Sequence, residues 1–360
     1  DLPCWDRAIN GIRISLMILR QRLGPLLRLA QSARKGNHFT FAVGRDCCAG
    51  ACDASSSESS SYSRELLDTK LRPRLAMACL KREDVDGAAG RSLLRRKLWE
   101  FGMVVLRTGA VMKAQHLEEF ARGVFGNDIM QIRTVHDNAI PEDLRSPGVA
   151  VFGNPAGVVA LAAPFDPEVR AGTHIWHVDK QLLPKEGRLP DRPYVGMMHM
   201  VKSAYHGHTT SFADMQMAHV ALTSSRRAWW SAQEMWHLDP FDPFNGSRNT
   251  CRREVYPLVR RHAFTGALCL QLGPSAERSI LVGLENESQE VQETCWQTLM
   301  HEAVSAADVY DHVWEKGDLV LWDNSQVMHR SNPYDKSEHV RIAMRLGVIC
   351  DIEDALTAEP

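Results

Sequence analysis

His177 and Asp179 stand two residues apart, and His329 follows far downstream. Two imidazoles and one carboxylate can hold one face of a divalent ion and leave the other face open. Neutral imidazole and carboxylate suit a metal that changes oxidation state. The set therefore fits iron(II), with open positions for a co-substrate and dioxygen. On a strand, residues i and i+2 point to the same side, so His177 and Asp179 can reach one ion. Trp176 and Val178 then point the other way. A His-x-Asp triplet arises often by chance, and the residues that follow His329 are what give it weight.

Those residues are Arg341 and Arg345, on a strand-like segment just downstream. Their even separation puts both side chains on one face. A dicarboxylate that chelates a metal at one end needs a cation at its other end. The planar guanidinium fork binds carboxylate bidentately, and Thr210 offers a hydroxyl donor to complete such a site. The competing reading is that the arginines make structural ion pairs, for instance with Asp335 or Glu338. His136, His174, His199, His206, His208, His219 and His301 read as core or surface histidines. His206-Gly-His208 could bind metal but lacks a third ligand at fixed spacing.

These groups need elements to hold them. Asp86 can cap a helix whose apolar face uses Leu94, Leu98 and Phe101, with Gly102 as its stop. Met103 to Arg107 reads as a buried strand. A second amphipathic helix is expected over Met112 to Phe125, with Leu117, Phe120, Ala121 and Val124 on one face. Further strands are expected at 149–152, 158–161, 194–201, 254–259, 268–272, 279–282, 319–322 and 341–349. Phe212 to Leu222 has helical spacing, and so has Ser288 to Glu302. Many short strands with a few helices predict a mostly β fold. The expected core is a double-stranded β-helix (jelly-roll, cupin-like) with flanking α-helices. Such a core brings distant strands face to face, so the long gap between Asp179 and His329 is no obstacle.

The chain has 360 residues and a net charge of −2, which argues against a nucleic-acid binder working through a global basic field. No apolar run approaches the roughly 18–20 residues that span a membrane. Residues 7 to 45 hold eight Lys/Arg and no Asp or Glu, the composition of an organelle transit peptide or of a basic extension. Ser55 to Ser63 is Ser-rich and reads as a linker. The expected organisation is therefore a basic extension and linker over 1–80 and a single catalytic domain over 81–360. A cytoplasmic protein is expected, with organelle targeting by the basic segment as the alternative.

Several segments match a known family. Leu98-Trp-Glu-Phe-Gly-Met-Val-Val-Leu-Arg107 is similar to its helix-to-strand entry. Thr173-His-Ile-Trp-His-Val-Asp179 resembles its W-H-x-D motif. Gly207-His-Thr-Thr-Ser-Phe-Ala-Asp-Met215 resembles its G-x-x-T-x-F-A-D-M segment. Tyr256-Pro-Leu-Val-Arg-Arg-His262 with Thr265-Gly266 resembles its P-L-V-R-x-H…T-G stretch. Gly317-Asp-Leu-Val-Leu-Trp-Asp-Asn324 and Val327-Met-His-Arg330 resemble its distal histidine region. From Arg91 onward the chain thus resembles the taurine dioxygenase family of Fe(II)/2-oxoglutarate-dependent oxygenases, in the branch typified by 2,4-dichlorophenoxyacetate dioxygenase.

The resemblance implies that His177, Asp179 and His329 bind Fe(II). It implies that Thr210 and Arg341 hold the distal carboxylate of 2-oxoglutarate and that Arg345 faces the active site. His329 and Arg341 stand one residue further apart than the family pattern, so either arginine can take the clamp role. The implied reaction consumes 2-oxoglutarate and O2, releases succinate and CO2, and hydroxylates a small substrate, an anion such as a carboxylate, sulfonate or sulfate. Hydroxylation next to a heteroatom would end in cleavage. The charged stretch Pro184 to Arg192 departs from the pattern and bears on the substrate. Two other readings compete: a zinc-type hydrolase on the same ligands, and a non-catalytic binding protein on the same scaffold. No nucleic acid or membrane partner is expected, and a homo-oligomer is left open.

Overall fold

The structure is a computed structural model. It describes residues 74–76, 79–126, 129, 141–153, 176–179, 194–238, 253–273, 279–332 and 339–350. All of these fall in one compact unit, Arg72–Pro360. The basic extension, the Ser-rich tract, the strand expected at 158–161 and the charged stretch 184–192 lie outside the described residues.

In chain order the strands are β1 (Cys79–Lys81), β2 (Met103–Arg107), β3 (Ala150–Gly153), β4 (Tyr194–Lys202), β5 (Thr209–Asp214), β6 (Glu234–Leu238), β7 (Arg253–Pro257), β8 (Val259–Arg261), β9 (Leu268–Leu270), β10 (Ser279–Leu281), β11 (Val309–Val313), β12 (Asp318–Asp323), β13 (Val327–Ser331) and β14 (Ile342–Ile349). The helices are α1 (Gly87–Phe101), α2 (Ala114–Phe125), α3 (Met215–Ala221), α4 (Ser224–Ser231) and α5 (Gln289–Ala306). A major sheet runs in the order β1-β2-β12-β4-β14-β3, and a minor sheet in the order β11-β5-β13.

The major sheet buries both faces, and its strands read as nearly continuous apolar runs for that reason. Side chains alternate across it. One set, including Val104, Leu106, Val195, Met197, Leu319 and Leu346, packs on Leu94 and Leu98 of α1 and Leu117, Ala121 and Val124 of α2. The other set, Met103, Val105, Met198, Met200, Val320, Trp322 and Ala343, forms a second core with Phe212 of β5 and Val327 of β13. The minor sheet thus lies across this inner core, in the double-stranded β-helix arrangement. No ladder closes the two sheets into one barrel among the described residues.

Four local expectations change. Asp86 does precede α1, but its side chain makes no capping bond. It pairs with Arg82 at 3.5 Å instead. Gly102 ends α1 as expected, in the left-handed region at φ 76°, and its N–H donates to Leu98 O. Helix α2 starts at Ala114 rather than Met112, with Lys113 at its cap position. Phe212 to Leu222 is not one helix: Phe212, Ala213 and Asp214 finish β5, and the helix begins at Met215. The Asp214 carboxylate accepts from the N–H groups of Gln216 and Met217, so one residue ends a strand and caps a helix. The strand expected at 254–259 is two strands, broken after Pro257, which has no N–H to continue a ladder.

Candidate metal centre and anion-binding residues

The segment 176–179 reaches the minor sheet through one antiparallel bridge between His177 and His329. His177 N–H donates to His329 O at 3.0 Å, and His329 N–H donates to His177 O at 2.9 Å. This pair closes the long sequence gap. The two rings lie 4.4 Å apart. Asp179, two residues on, points to the same side, as the strand period requires. Ligand atoms of His177, Asp179 and His329 all lie within 4.8 Å of one another. His329 Nε2 is 3.5 Å from Asp179 Oδ1.

The environment prepares these groups to hold a metal. His329 is buried between the rings of Trp322, at 4.8 Å, and Phe212, at 6.1 Å. Burial, and then the charge of His177, push the His329 imidazole well below its usual pKa, so it stays neutral and available as a ligand. Asp179 is buried, and its Oδ2 has no hydrogen-bond partner among the described residues. Leaving a buried carboxylate oxygen unmatched is costly, and a cation coordinated there removes the cost. The donor set of two imidazoles and one carboxylate fits iron(II).

Trp322 owes its place to Gly196. A Cβ at Gly196 would lie 2.4 Å from the Trp322 ring, so the ring lies directly on the β4 backbone.

The two arginines lie at different ends of the site. Arg341 is buried just before β14. Its Nη1 donates to Ser331 Oγ at 3.3 Å, and its Nη2 approaches Met198 Sδ at 3.1 Å. Ser331 pairs across the ladder with Thr210. Thr210 is buried too, and its Oγ1 accepts from Trp314 Nε1 at 2.8 Å. Arg341 and Thr210 therefore converge on Ser331. Beside them, burial and then the charge of Arg341 lower the His208 pKa to about 4, so this neighbour is neutral. Asp335 and Glu338, the alternative partners for the arginines, lie outside the described residues.

Arg345 instead pairs through Nη2 with Asp179 Oδ1. Its Cζ lies 5.5 Å from the Phe152 ring and 5.7 Å from the Trp322 ring. Burial pushes the guanidinium down to about 10, still cationic at neutral pH.

The turn between β12 and β13 supports the site from below. Asp323 is buried, with His262 Nε2 at 2.7 Å from its Oδ2. Ser325 N–H donates to its Oδ1, and Gln326 Nε2 donates to its Oδ2. Burial raises the Asp323 pKa, but the bonds from His262, Gln326 and Ser325 outweigh it and leave the carboxyl below its usual range. His262 Nδ1 meets Thr265 Oγ1 at 2.9 Å, which explains why His262 and Thr265 occur together in sequence. Sequence reasoning did not single out Asn324, Ser331, Trp322 or Phe152 as site residues. Asn324 and Trp322 lie inside the Gly317–Asn324 motif, which was the available signal.

A double-stranded β-helix carrying two histidines and a carboxylate beside two arginines has the architecture of a non-haem iron dioxygenase. The chain belongs to the taurine catabolism dioxygenase TauD, TfdA family, whose sequence model matches residues 77–346. It is 24% identical over 254 residues to the alpha-ketoglutarate-dependent 2,4-dichlorophenoxyacetate dioxygenase of Burkholderia sp. (strain RASC), covering 67% of this chain and 82% of that one. It is 27% identical over 195 residues to the (S)-phenoxypropionate/alpha-ketoglutarate-dioxygenase of Sphingobium herbicidovorans, covering 49% and 64%. The fold matches the crystal structure of AAD-2 in complex with Mn(II) and N-oxalylglycine, with a TM-score of 0.55 at 19% identity, covering 76% of this chain and 91% of that one. The chain is thus an oxidoreductase of the class that uses Fe(II), 2-oxoglutarate and O2, and the hydrolase and binding-protein readings give way.

Proposed function

We propose that this dioxygenase hydroxylates a small organic anion: a carboxylate, sulfonate or sulfate. His177, Asp179 and His329 hold the iron, Thr210 and Arg341 hold the distal carboxylate of 2-oxoglutarate, and Arg345 receives the anion of the substrate. The observation that carries the substrate class is Arg345, a half-buried cation beside Asp179 with the Phe152 and Trp322 rings close by. Bound iron supplies the redox chemistry by which O2 converts 2-oxoglutarate to succinate and CO2 and oxidises a substrate carbon.

The protein's own groups orient and dry the site. The Arg341 fork and the hydroxyls of Thr210 and Ser331 offer donors to a carboxylate, in a pocket where charge-assisted bonds are strong. Trp322, Phe212, Met198 and Met200 wall off water. Arg345 places a bound anion next to the ligand set, so the adjoining carbon lies near the open face. Two of the relatives are named for aryloxy acids, in which that carbon adjoins an ether oxygen. Hydroxylation there ends in cleavage.

The test is succinate release from 2-oxoglutarate with Fe(II), ascorbate and O2. Candidate acids are 2,4-dichlorophenoxyacetate, 2-phenoxypropionate and taurine, each carboxylate compared with its neutral amide. At least one acid should accelerate turnover and its neutral form should not. Arg345→Gln should lose the acceleration and keep basal succinate release. Equal stimulation by acid and amide would sink the substrate class. Full turnover in Asp179→Ala would sink the ligand assignment.

A further inference from the structure

Asp179 lies beyond the only ladder pair of its segment among the described residues. Trp176 lies with its ring 4.8 Å from the Arg330 guanidinium, on the outer side of that pair. Neither contact controls the backbone at Asp179. Its N–H donates instead to Asn324 Oδ1 at 2.8 Å. Asn324 is buried and is itself held, because its N–H and its Nδ2 both donate to Tyr194 O, at 3.0 and 3.1 Å. Its neighbour Asp323 is fixed by His262, Ser325 and Gln326. A carboxamide suits this place, since it accepts from one segment and donates to another at once.

We propose that Asn324 is a positioning residue for the metal-ligating carboxylate: its side chain fixes the backbone of Asp179 and thereby sets metal affinity and coordination geometry. The inference deepens the proposed function and rests on Asp179 being a ligand. Asn324 makes no bond to the carboxylate, so it acts only through the position of the Asp179 main chain. Once that tether is cut, the carboxylate can shift with its backbone relative to the two imidazoles.

The experiment titrates the full chain with Co(II) in the presence of 2-oxoglutarate and follows the ligand-field absorption of the metal. Asn324→Ala should bind Co(II) about 10–100-fold more weakly, the range seen when outer partners of metal ligands are removed. Its ligand-field spectrum should shift, and the melting temperature of its metal-free form should stay near that of the parent. Asn324→Asp keeps the acceptor for the Asp179 N–H but loses the donor to Tyr194 O, so it should recover part of the affinity lost in Asn324→Ala. Parental affinity and spectrum in Asn324→Ala would overturn the proposal. So would equal losses in both variants accompanied by equal drops in melting temperature, which mark a merely structural role. If Asn324→Ala does not fold, Asn324→Ser, too short to reach the Asp179 N–H, takes its place: weakened and spectrally shifted Co(II) binding supports the proposal and parental binding overturns it. A parent that fails to bind Co(II) removes the ligand assignment, and the inference falls with it. A parent that binds alongside an unaffected Asn324→Ala removes the inference alone.

Discussion

Arg341, just before β14, and Arg345, on it, are the same residue type in different surroundings. Arg341 faces the hydroxyl of Ser331 and, across the ladder, Thr210. Arg345 faces a carboxylate. Arg341→Lys keeps the charge and loses the fork. Charge-assisted bonds of about 1.5–3 kcal/mol are at stake, so the KM for 2-oxoglutarate should rise roughly ten- to a hundred-fold with a smaller change in kcat. Succinate release across a 2-oxoglutarate titration checks this. The ligands and arginines were legible in sequence because few residue types can do their chemistry. Asn324 and Ser331 were not, because a common polar side chain acquires its role only from the partner that another segment brings to it. The sequence also left the two arginines interchangeable; in the structure Arg341 lies at Ser331 and Arg345 at Asp179.

Elements were legible where burial alone shapes them. Strands β2, β4 and β12 sit in the middle of the major sheet and appear as apolar runs. Strand β13 was missed because His329, Arg330 and Ser331 interrupt any apolar period. Strand β11 was missed because it is the edge of the minor sheet, with Asp311 and His312 in its centre. The contact of β4 with β12 offers a test of how an element supports the site. Gly196→Ala pushes a methyl into the Trp322 ring, which in turn packs on His329. Overpacking of this kind costs about 1–3 kcal/mol. The variant should melt at lower temperature and bind metal less tightly, whereas Val104→Ala, on the opposite face of the sheet, should lower only the melting temperature. Differential scanning calorimetry with and without metal separates the two effects.

At the scale of the whole molecule, stability depends on histidines buried in neutral form. His199 is fully buried on the helix-packed face of β4, and its Nε2 accepts the N–H of Met112 at 2.9 Å. Burial lowers its pKa to about 4. The sign follows from proton counting: between about 6.5 and 4 the unfolded chain holds a proton at this histidine and the folded chain does not. Falling pH therefore favours unfolding across that window, by about 3 kcal/mol from this one group. His208, at about 4, and His237, at about 3, add in the same direction. Urea midpoints should drop steeply from pH 6.5 to 4, and His199→Gln should flatten that slope while lowering the plateau at neutral pH. No helix among the described residues is long and apolar enough to cross a membrane.

Strand β14 and the residue just before it carry both arginines of the site. Arg341 and Arg345 lie about 13 Å apart along an extended backbone, at roughly 3.3 Å per residue. From Ile342 onward that backbone is paired to β4, with one register shift between Ile342 and Ala343. Strand β14 is therefore a fixed gauge. On the proposed assignment, co-substrate and substrate would each be gripped by one charge, and the ladder would hold the distance between the grips. A substrate homologue longer by one methylene would then keep its anion where it was and offer a different carbon to His177, Asp179 and His329. In this enzyme chain length would select the position of oxidation, while charge selects the molecule.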